Sequence, residues 1–202
     1  VSALKKAKDA LEKAIPLREI SFTDDEKLKL KAFQFLTLKP IIYMANIDES
    51  NLALPDNNYV LALKEYAKNS KVIKMCAKVE SELSELSIEE KEEMLAMLGI
   101  KASGLDDLIN ATYELLGLKT YFTVGPEEVR AWTFKDGMKA PACAGIIHTD
   151  FEKGFIKAEV ISYEDLISCG SELKAKEAGK LRIEGKDYVM QDGDICHFRF
   201  NR

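Results

Sequence analysis

The chain predicts an α/β fold followed by a smaller α+β fold, and three observations carry that expectation. Ile41 to Ala45 is a continuous apolar run, the pattern of a parallel strand buried on both faces, and Lys71 to Ala77 repeats it around Val72, Ile73 and Met75. Helical spacing lies between these runs and after them, so the order strand, helix, strand, helix, helix is that of a fragment of a doubly wound sheet. From about Tyr121 the texture changes to short strands broken by turn signals, which suits a mixed sheet curled round a helix.

Each element has a local reason. Leu4, Ala7, Leu11, Ala14 and Ile15 recur at helical spacing, so residues 3–15 read as an amphipathic helix that Pro16 ends. Thr23 with Glu26 forms a capping box, opening a helix expected to run through Leu28, Leu30, Phe33, Phe35 and Leu36 until Pro40 stops the pattern. After the strand at Ile41, residues 46–58 are polar turn material, followed by a helix through Val60, Leu63 and Tyr66. Ser87 with Glu90 is a second capping box, and its helix closes at Gly99. A further helix over 104–116 closes at Gly117. Tyr121 to Val124 and Val129 to Phe134 read as strands joined at Gly125-Pro126. Short helical pieces, a strand near Phe155 to Ile161, a helix around 171–178 and a last strand at Ile195 to Phe200 complete the order.

Bulk properties narrow the function classes. A chain of 202 residues can bury a sizeable core, and 47% hydrophobic with 31% charged residues is globular composition rather than disorder. The net charge of −5 argues against a global field for nucleic acid or anionic membrane, although the first 31 residues are slightly basic. No apolar run approaches the roughly 20 residues of a membrane span, and no signal peptide is recognisable at Val1. The four cysteines are scattered without a Cys-x-x-Cys pair, and His148 and His197 are the only histidines. Free thiols in a cytoplasmic protein without a metal site are therefore expected. The opening helix has no partner in the sequence, the expectation for a truncated product.

The stretch Lys39-Pro40-Ile41-Ile42-Tyr43-Met44-Ala45-Asn46-Ile47-Asp48-Glu49 is the most informative. It runs an apolar strand into Asn-x-Asp-Glu, where nucleotide-binding α/β proteins carry a base-reading loop. The bland reading is a polar turn after a strand. No Gly-x-x-x-x-Gly-Lys-Ser/Thr phosphate loop occurs in the chain.

Separated blocks then carry a resemblance. Arg130-Ala131-Trp132-Thr133, Ala140-Pro141, Ala144 to Ile156, Ala178-Gly179-Lys180, Gly185-Lys186-Asp187-Tyr188 and Asp192-Gly193-Asp194 closely resemble the C-terminal TGS domain of the YchF/Obg-like ATPase family. Phe35 to Pro40 and Leu118 to Thr123 resemble the same family, so that the resemblance covers essentially the whole chain. It implies a P-loop NTPase of the translation-factor class. Residues 1–37 would be the returning helix of a coiled-coil arm and its re-entry, 38–119 the distal part of the G domain, and 120–202 a β-grasp TGS domain.

The resemblance also implies a base site. GTPases use Asn-Lys-x-Asp, whose carboxylate accepts two hydrogen bonds from guanine. Here Ile47 stands in place of Lys and Glu49 in place of Asp. One added methylene moves a carboxylate by about 1 Å, enough to spoil a bidentate contact. The loop is thus implied to read adenine at least as well as guanine, through Asn46 and backbone groups around Ile47, with Asp48 and Glu49 both open as the acidic member. Cys76-Ala77-Lys78 resembles the second base-side loop, Ser-Ala-Lys; its bland reading is an ordinary strand-to-helix turn. ATP or GTP with Mg2+ is implied for the full-length protein, none being retained by this chain, which is expected to hold no catalytic residue. A ribosome, structured RNA or protein partner is implied, and no membrane.

The remaining candidates have plainer readings. His148 lacks a nearby nucleophile or second ligand, which favours a capping or packing role, and His197 reads as structural. Lys153, Lys157, Lys180, Arg182 and Lys186 are candidate nucleic-acid contacts, but residues 121–202 hold 12 Lys/Arg against 14 Asp/Glu, and a solvated mixed-charge face competes. The aromatics Tyr121, Phe122, Trp132, Phe134, Phe151 and Phe155 are expected to be mostly core, and Glu89-Glu90 with Glu92-Glu93 a solvated helix face.

Overall fold

A computed structural model describes residues 2–125 and 128–201. The chain divides into two compact units, Val1–Thr112 and Tyr113–Arg202, each with its own core.

The first unit opens with α1 (Ser2–Glu12), whose buried face is Ala3, Ala7 and Ala10. Leu4 and Leu11, expected to face inward, are 42% and 39% exposed. The alanine stripe is the one that packs because it lets Leu17, Phe22 and Leu30 approach the helix backbone closely. The Thr23–Glu26 capping box opens α2 (Asp24–Leu30). That helix is shorter than its apolar spacing suggested. It tightens into a 3-10 turn at Lys31–Phe33, and Gln34 takes the left-handed conformation at φ 49°, which ends the helical path before Phe35. Phe33 and Phe35 then stack with ring centres 5.6 Å apart.

Strand β1 (Tyr43–Asn46) leads through a 3-10 turn at Glu49–Asn51 to α3 (Asn58–Ala67), which Asn57 caps by accepting the Val60 N–H. Strand β2 (Val72–Met75) returns parallel to β1, with Tyr43 opposite Val72 and Asn46 opposite Met75. Burial of β1 on both faces is not seen among the described residues: Ala45 is buried, but Met44 is 43% exposed. Helix α4 (Ala77–Leu83), which apolar spacing did not single out, follows β2 directly, and α5 (Ile88–Met97) begins at the Ser87–Glu90 capping box. The core here joins Leu52, Cys76, Val79, Leu83 and Leu95.

Helix α6 (Gly104–Leu116) starts against the end of β2, where a Cβ on residue 104 would stand 2.5 Å from Met75 Cβ. Glycine is required there by close approach. The Glu80 carboxylate fixes the same helix start by accepting the Gly104 N–H at 2.7 Å and the Leu105 N–H at 3.2 Å.

The second unit is a mixed five-stranded sheet in the order β4-β3-β7-β5-β6, with β3 (Leu118–Val124), β4 (Val129–Lys135), β5 (Phe155–Ser162), β6 (Arg182–Glu184) and β7 (Asp194–Phe200). β3 and β7 are parallel neighbours and the other pairs are antiparallel. Of the Gly125-Pro126 hairpin signal, Pro126 lies outside the described residues. Helices α7 (Ala140–Ile147) and α8 (Thr149–Lys153) precede β5, and α9 (Tyr163–Cys169) and α10 (Glu172–Glu177) follow it. α9 had no clear signal in the sequence.

The buried alanines of α7 pack with Tyr121, Phe134, Phe155, Val160 and Cys196, as expected for aromatics that alternate along strands. Tyr121 donates its hydroxyl to the Cys143 carbonyl at 2.9 Å. Burial first, and the nearby Asp194 charge second, push the Cys143 thiol up to about 12, so this sulfur is an inert core group. The fold is thus mixed α/β in both units, without a closed barrel among the described residues.

Replacing Gly104 by alanine forces Met75 and the α6 start apart, with an expected loss of about 1–3 kcal/mol. Thermal unfolding followed by the amide signals of Val79 and Leu95 should show the midpoint falling by several degrees.

Candidate base-binding site

Two parallel strands end side by side, and both sequence motifs sit on their C-terminal ends. Asn46 is the last residue of β1 and lies opposite Met75, the last of β2. The ladder continues one step further, with the Ile47 N–H donating to the Met75 carbonyl at 2.8 Å. The chain then turns at Asp48, whose carbonyl accepts the Asn51 N–H at 2.9 Å. On the neighbouring strand Cys76 is buried, and its carbonyl accepts the Glu80 N–H in the first turn of α4.

Side chains tie the two loops together. Asn46 Oδ1 accepts the Ala77 N–H at 3.0 Å, so this asparagine clamps the second loop against the first. Lys78 Nζ lies 3.7 Å from Glu49 Oε2 and 3.7 Å from Glu82 Oε1, giving Glu49 a cationic partner at the rim. No hydrogen bond or ion pair engages the Asp48 carboxylate among the described residues. The two acidic candidates are therefore distinct: Glu49 is engaged and Asp48 is open to solvent.

One open cleft of about 670 Å³ is lined by Asn46, Ile47, Asp48, Glu49, Cys76 and Lys78, and Ala53, Met97 and Leu98 border it too. The volume falls in the range of about 300–1,000 Å³ usual for small-molecule sites. A smaller recess of about 450 Å³ lies toward α3, sharing Asn46, Ile47 and Asp48. The cleft offers amide and carboxylate groups for the edge of a planar ligand and aliphatic groups for its faces. Ala53, Met97 and Leu98 were not singled out from the sequence. The available signal was Met97 immediately before the Leu98-Gly99 helix end, off the Leu95 side that packs inward.

Among the described residues no group of three or more His, Cys, Asp and Glu side chains could hold a metal ion. Nor is any helix among them long and apolar enough to cross a membrane. His148 caps α8, its Nδ1 accepting the Asp150 N–H at 3.2 Å, and His197 stands 3.7 Å from Glu172.

The five basic candidates of the second unit differ in what they touch. Lys157 pairs with Glu159 at 3.3 Å, and Lys180 with Asp165 at 3.1 Å. Arg182 bonds the Tyr188 hydroxyl at 2.9 Å and the buried Asp194 carboxylate at 3.3 Å. Lys153 and Lys186 are exposed, with no ion pair among the described residues, and they lie in different parts of the chain, at the end of α8 and after β6.

Comparison with known proteins bears on the whole chain. Residues 118–201 match the YchF-GTPase_C family, described as "Protein of unknown function (DUF933)". The "Ribosome-binding ATPase YchF" of Bacillus subtilis (strain 168) is 57% identical over 201 residues, covering 98% of this chain and 55% of that protein. The protein of the same name from Haemophilus influenzae is 50% identical over 203 aligned residues, covering 100% of this chain and 55% of that one. The chain thus spans about half the length of the curated relatives it matches. Among solved structures, that of the Schizosaccharomyces pombe YchF GTPase superposes with a TM-score of 0.88 at 35% identity, over 98% of this chain and 53% of that one. A GTP-binding protein from Pyrococcus horikoshii OT3 shares the fold, with a TM-score of 0.58 at 21% identity over 96% of this chain and 55% of that one.

The Asn46 clamp has a direct readout. Asn46→Ala should speed amide exchange at Ala77 roughly fivefold, the equivalent of about 1 kcal/mol for one net hydrogen bond. Asn46→Asp, which keeps an acceptor oxygen, should leave Ala77 protected.

Proposed function

This chain belongs to the YchF family, and from that premise we propose that it supplies the base-recognising end of an ATP- or GTP-hydrolysing protein's nucleotide site. The observation that supports the reading is the convergence of Asn46-Ile47-Asp48-Glu49 with Cys76 and Lys78 on one cleft at the C-terminal ends of two parallel strands. Crevices at the carboxyl ends of strands are where open α/β sheets bind ligands.

In this reading Asn46 holds the two loops at a fixed separation by accepting the Ala77 N–H, and backbone groups around Ile47 meet the edge of a purine. Guanine presents adjacent donors at N1 and the exocyclic amine, which a carboxylate must accept together. Glu49 is longer than aspartate and is held by Lys78, so it is poorly set for that task. Adenine presents one donor at N6 and an acceptor at N1, which backbone and amide groups satisfy without a dedicated carboxylate. The base site therefore reads adenine at least as well as guanine. The phosphates and magnesium fall outside this chain's donor set, and no step of hydrolysis is assigned to its residues.

Residues 1–37 are proposed as the returning helix of an arm with its re-entry, 38–119 as the distal part of the nucleotide-binding domain, and 120–202 as a β-grasp TGS domain of a cytoplasmic protein. The names of the relatives support ribosome docking for the whole protein. Within residues 121–202 the 12 Lys/Arg are outnumbered by 14 Asp/Glu, and Lys157, Lys180 and Arg182 already face acidic partners, so RNA association through this unit should show a shallow salt dependence.

Amide NMR of the 202-residue chain titrated with adenosine, guanosine and ribose 5-phosphate tests the base site. Adenosine should shift Asn46, Ile47 and Ala77, with guanosine no stronger and ribose 5-phosphate silent; uniform silence would sink the reading. A phosphate-release assay with ATP and Mg2+ should stay at background for this chain.

A further inference from the structure

Helix α5 turns its packing side inward. Leu95 is buried, and Met94 and Leu98 pack against the core formed by Leu52, Cys76, Val79 and Leu83. Met97, the last residue of the helix, is 88% exposed and takes no part in that core. A singly exposed apolar side chain is ordinary and carries nothing by itself. Its position is what distinguishes Met97, because it borders the same cleft as Asn46, Glu49, Cys76 and Lys78.

The backbone under Met97 is fixed. The Gly99 N–H donates to the Ala96 carbonyl and the Ile100 N–H to the Leu95 carbonyl, both at 3.1 Å, and Gly99 sits at φ +70°. The turn also lies against the first loop, since a Cβ on residue 99 would stand 3.4 Å from Ala53 Cβ. Ala53 is another residue of the cleft wall. The helix end and the Asn46–Ala53 loop are thus held beside one another.

A purine needs contacts to its faces as well as its edge. The polar groups of Asn46, Asp48 and Glu49 suit an edge. Of the apolar groups around the cleft, Ile47 and Leu98 are committed to the core and Ala53 is short. We infer that Met97 is a ligand-contacting residue, its thioether covering one face of a purine base seated in the cleft. The unbranched side chain is mobile enough to follow a planar ring, and sulfur against an aromatic ring is a favourable contact. The inference rests on the base-site reading above.

The methyl signal of Met97, assigned by its loss in Met97→Leu, provides the test in the 202-residue chain. Adenosine should move that methyl upfield by the ring current, whereas ribose 5-phosphate should leave it in place. Met97→Ala should weaken adenosine binding about fivefold, as expected when roughly half of a methionine's burial energy is forfeited. Because the side chain is exposed, the variant should keep the amide spectrum of the rest of the fold. If adenosine shifts the Asn46 and Ala77 amides while the Met97 methyl stays still, Met97 is no base contact and the base site stands. If neither responds, the base-site reading fails and takes this inference with it.

Discussion

The candidate site depends on one hydrogen bond between two loops, from the Ala77 N–H to Asn46 Oδ1. Parallel pairing brings the ends of β1 and β2 together, but backbone pairing stops with the Ile47 N–H on the Met75 carbonyl. Beyond that point nothing in a sheet ladder fixes how far apart the loops stand. An asparagine at the last strand position supplies the missing link because its amide oxygen imitates a peptide carbonyl one step past the ladder. On the far side of α4, Glu80 does the equivalent at a longer range, accepting both first N–H groups of α6.

Charge at the rim is arranged unevenly, and this matters more than its sum. Glu49 and Lys78 lie 3.7 Å apart and are both substantially exposed, so in water the pair is worth about 0–1 kcal/mol. A base entering the cleft displaces solvent from the same rim, and an ion pair strengthens as its surroundings dry. In the proposed reading, occupancy tightens the hold of Lys78 on Glu49 and withdraws that carboxylate further from the ligand. Asp48 stays in solvent with its acceptors open, one residue short of the position where a guanine-reading aspartate would stand.

Much of this was legible in the sequence wherever local chemistry decides structure. Both capping boxes formed, at Thr23–Glu26 and Ser87–Glu90, because each satisfies otherwise orphaned N–H groups within four residues. Gly99 and Gly117 close their helices in the left-handed region, and His148 caps as expected. Failures came where tertiary packing chose between local options. In α1 small alanines outcompeted leucines for the interior because they permit closer approach. The apolar spacing through Phe33 and Phe35 resembled a helix, yet the rings stack across a left-handed Gln34. The two polar motifs of the cleft were visible as residue patterns. Its apolar wall was not, since Met97 acquires meaning only once a helix end is set beside a loop more than forty residues earlier in the chain.

The second unit shows why residue type alone misjudges a basic surface. Arg182 looks like a phosphate ligand in sequence, but its guanidinium completes the shell of Asp194, which is buried and also accepts the Tyr188 hydroxyl at 2.8 Å and the Gln191 N–H at 2.9 Å. Diverting that arginine to an external anion would take a cation from a buried carboxylate and leave it with the Tyr188 hydroxyl and the Gln191 N–H alone. The same carboxylate sits beside Cys196, whose thiol burial already pushes upward, so the local environment is tuned around a charge that must stay compensated. Lys157 and Lys180 pair with the partly exposed Glu159 and Asp165, and as surface pairs these are worth about 0–1 kcal/mol. In the proposed docking reading, an anionic partner meets Lys153 and Lys186 first, Lys157 and Lys180 by exchange, and Arg182 only at the expense of its hold on Asp194.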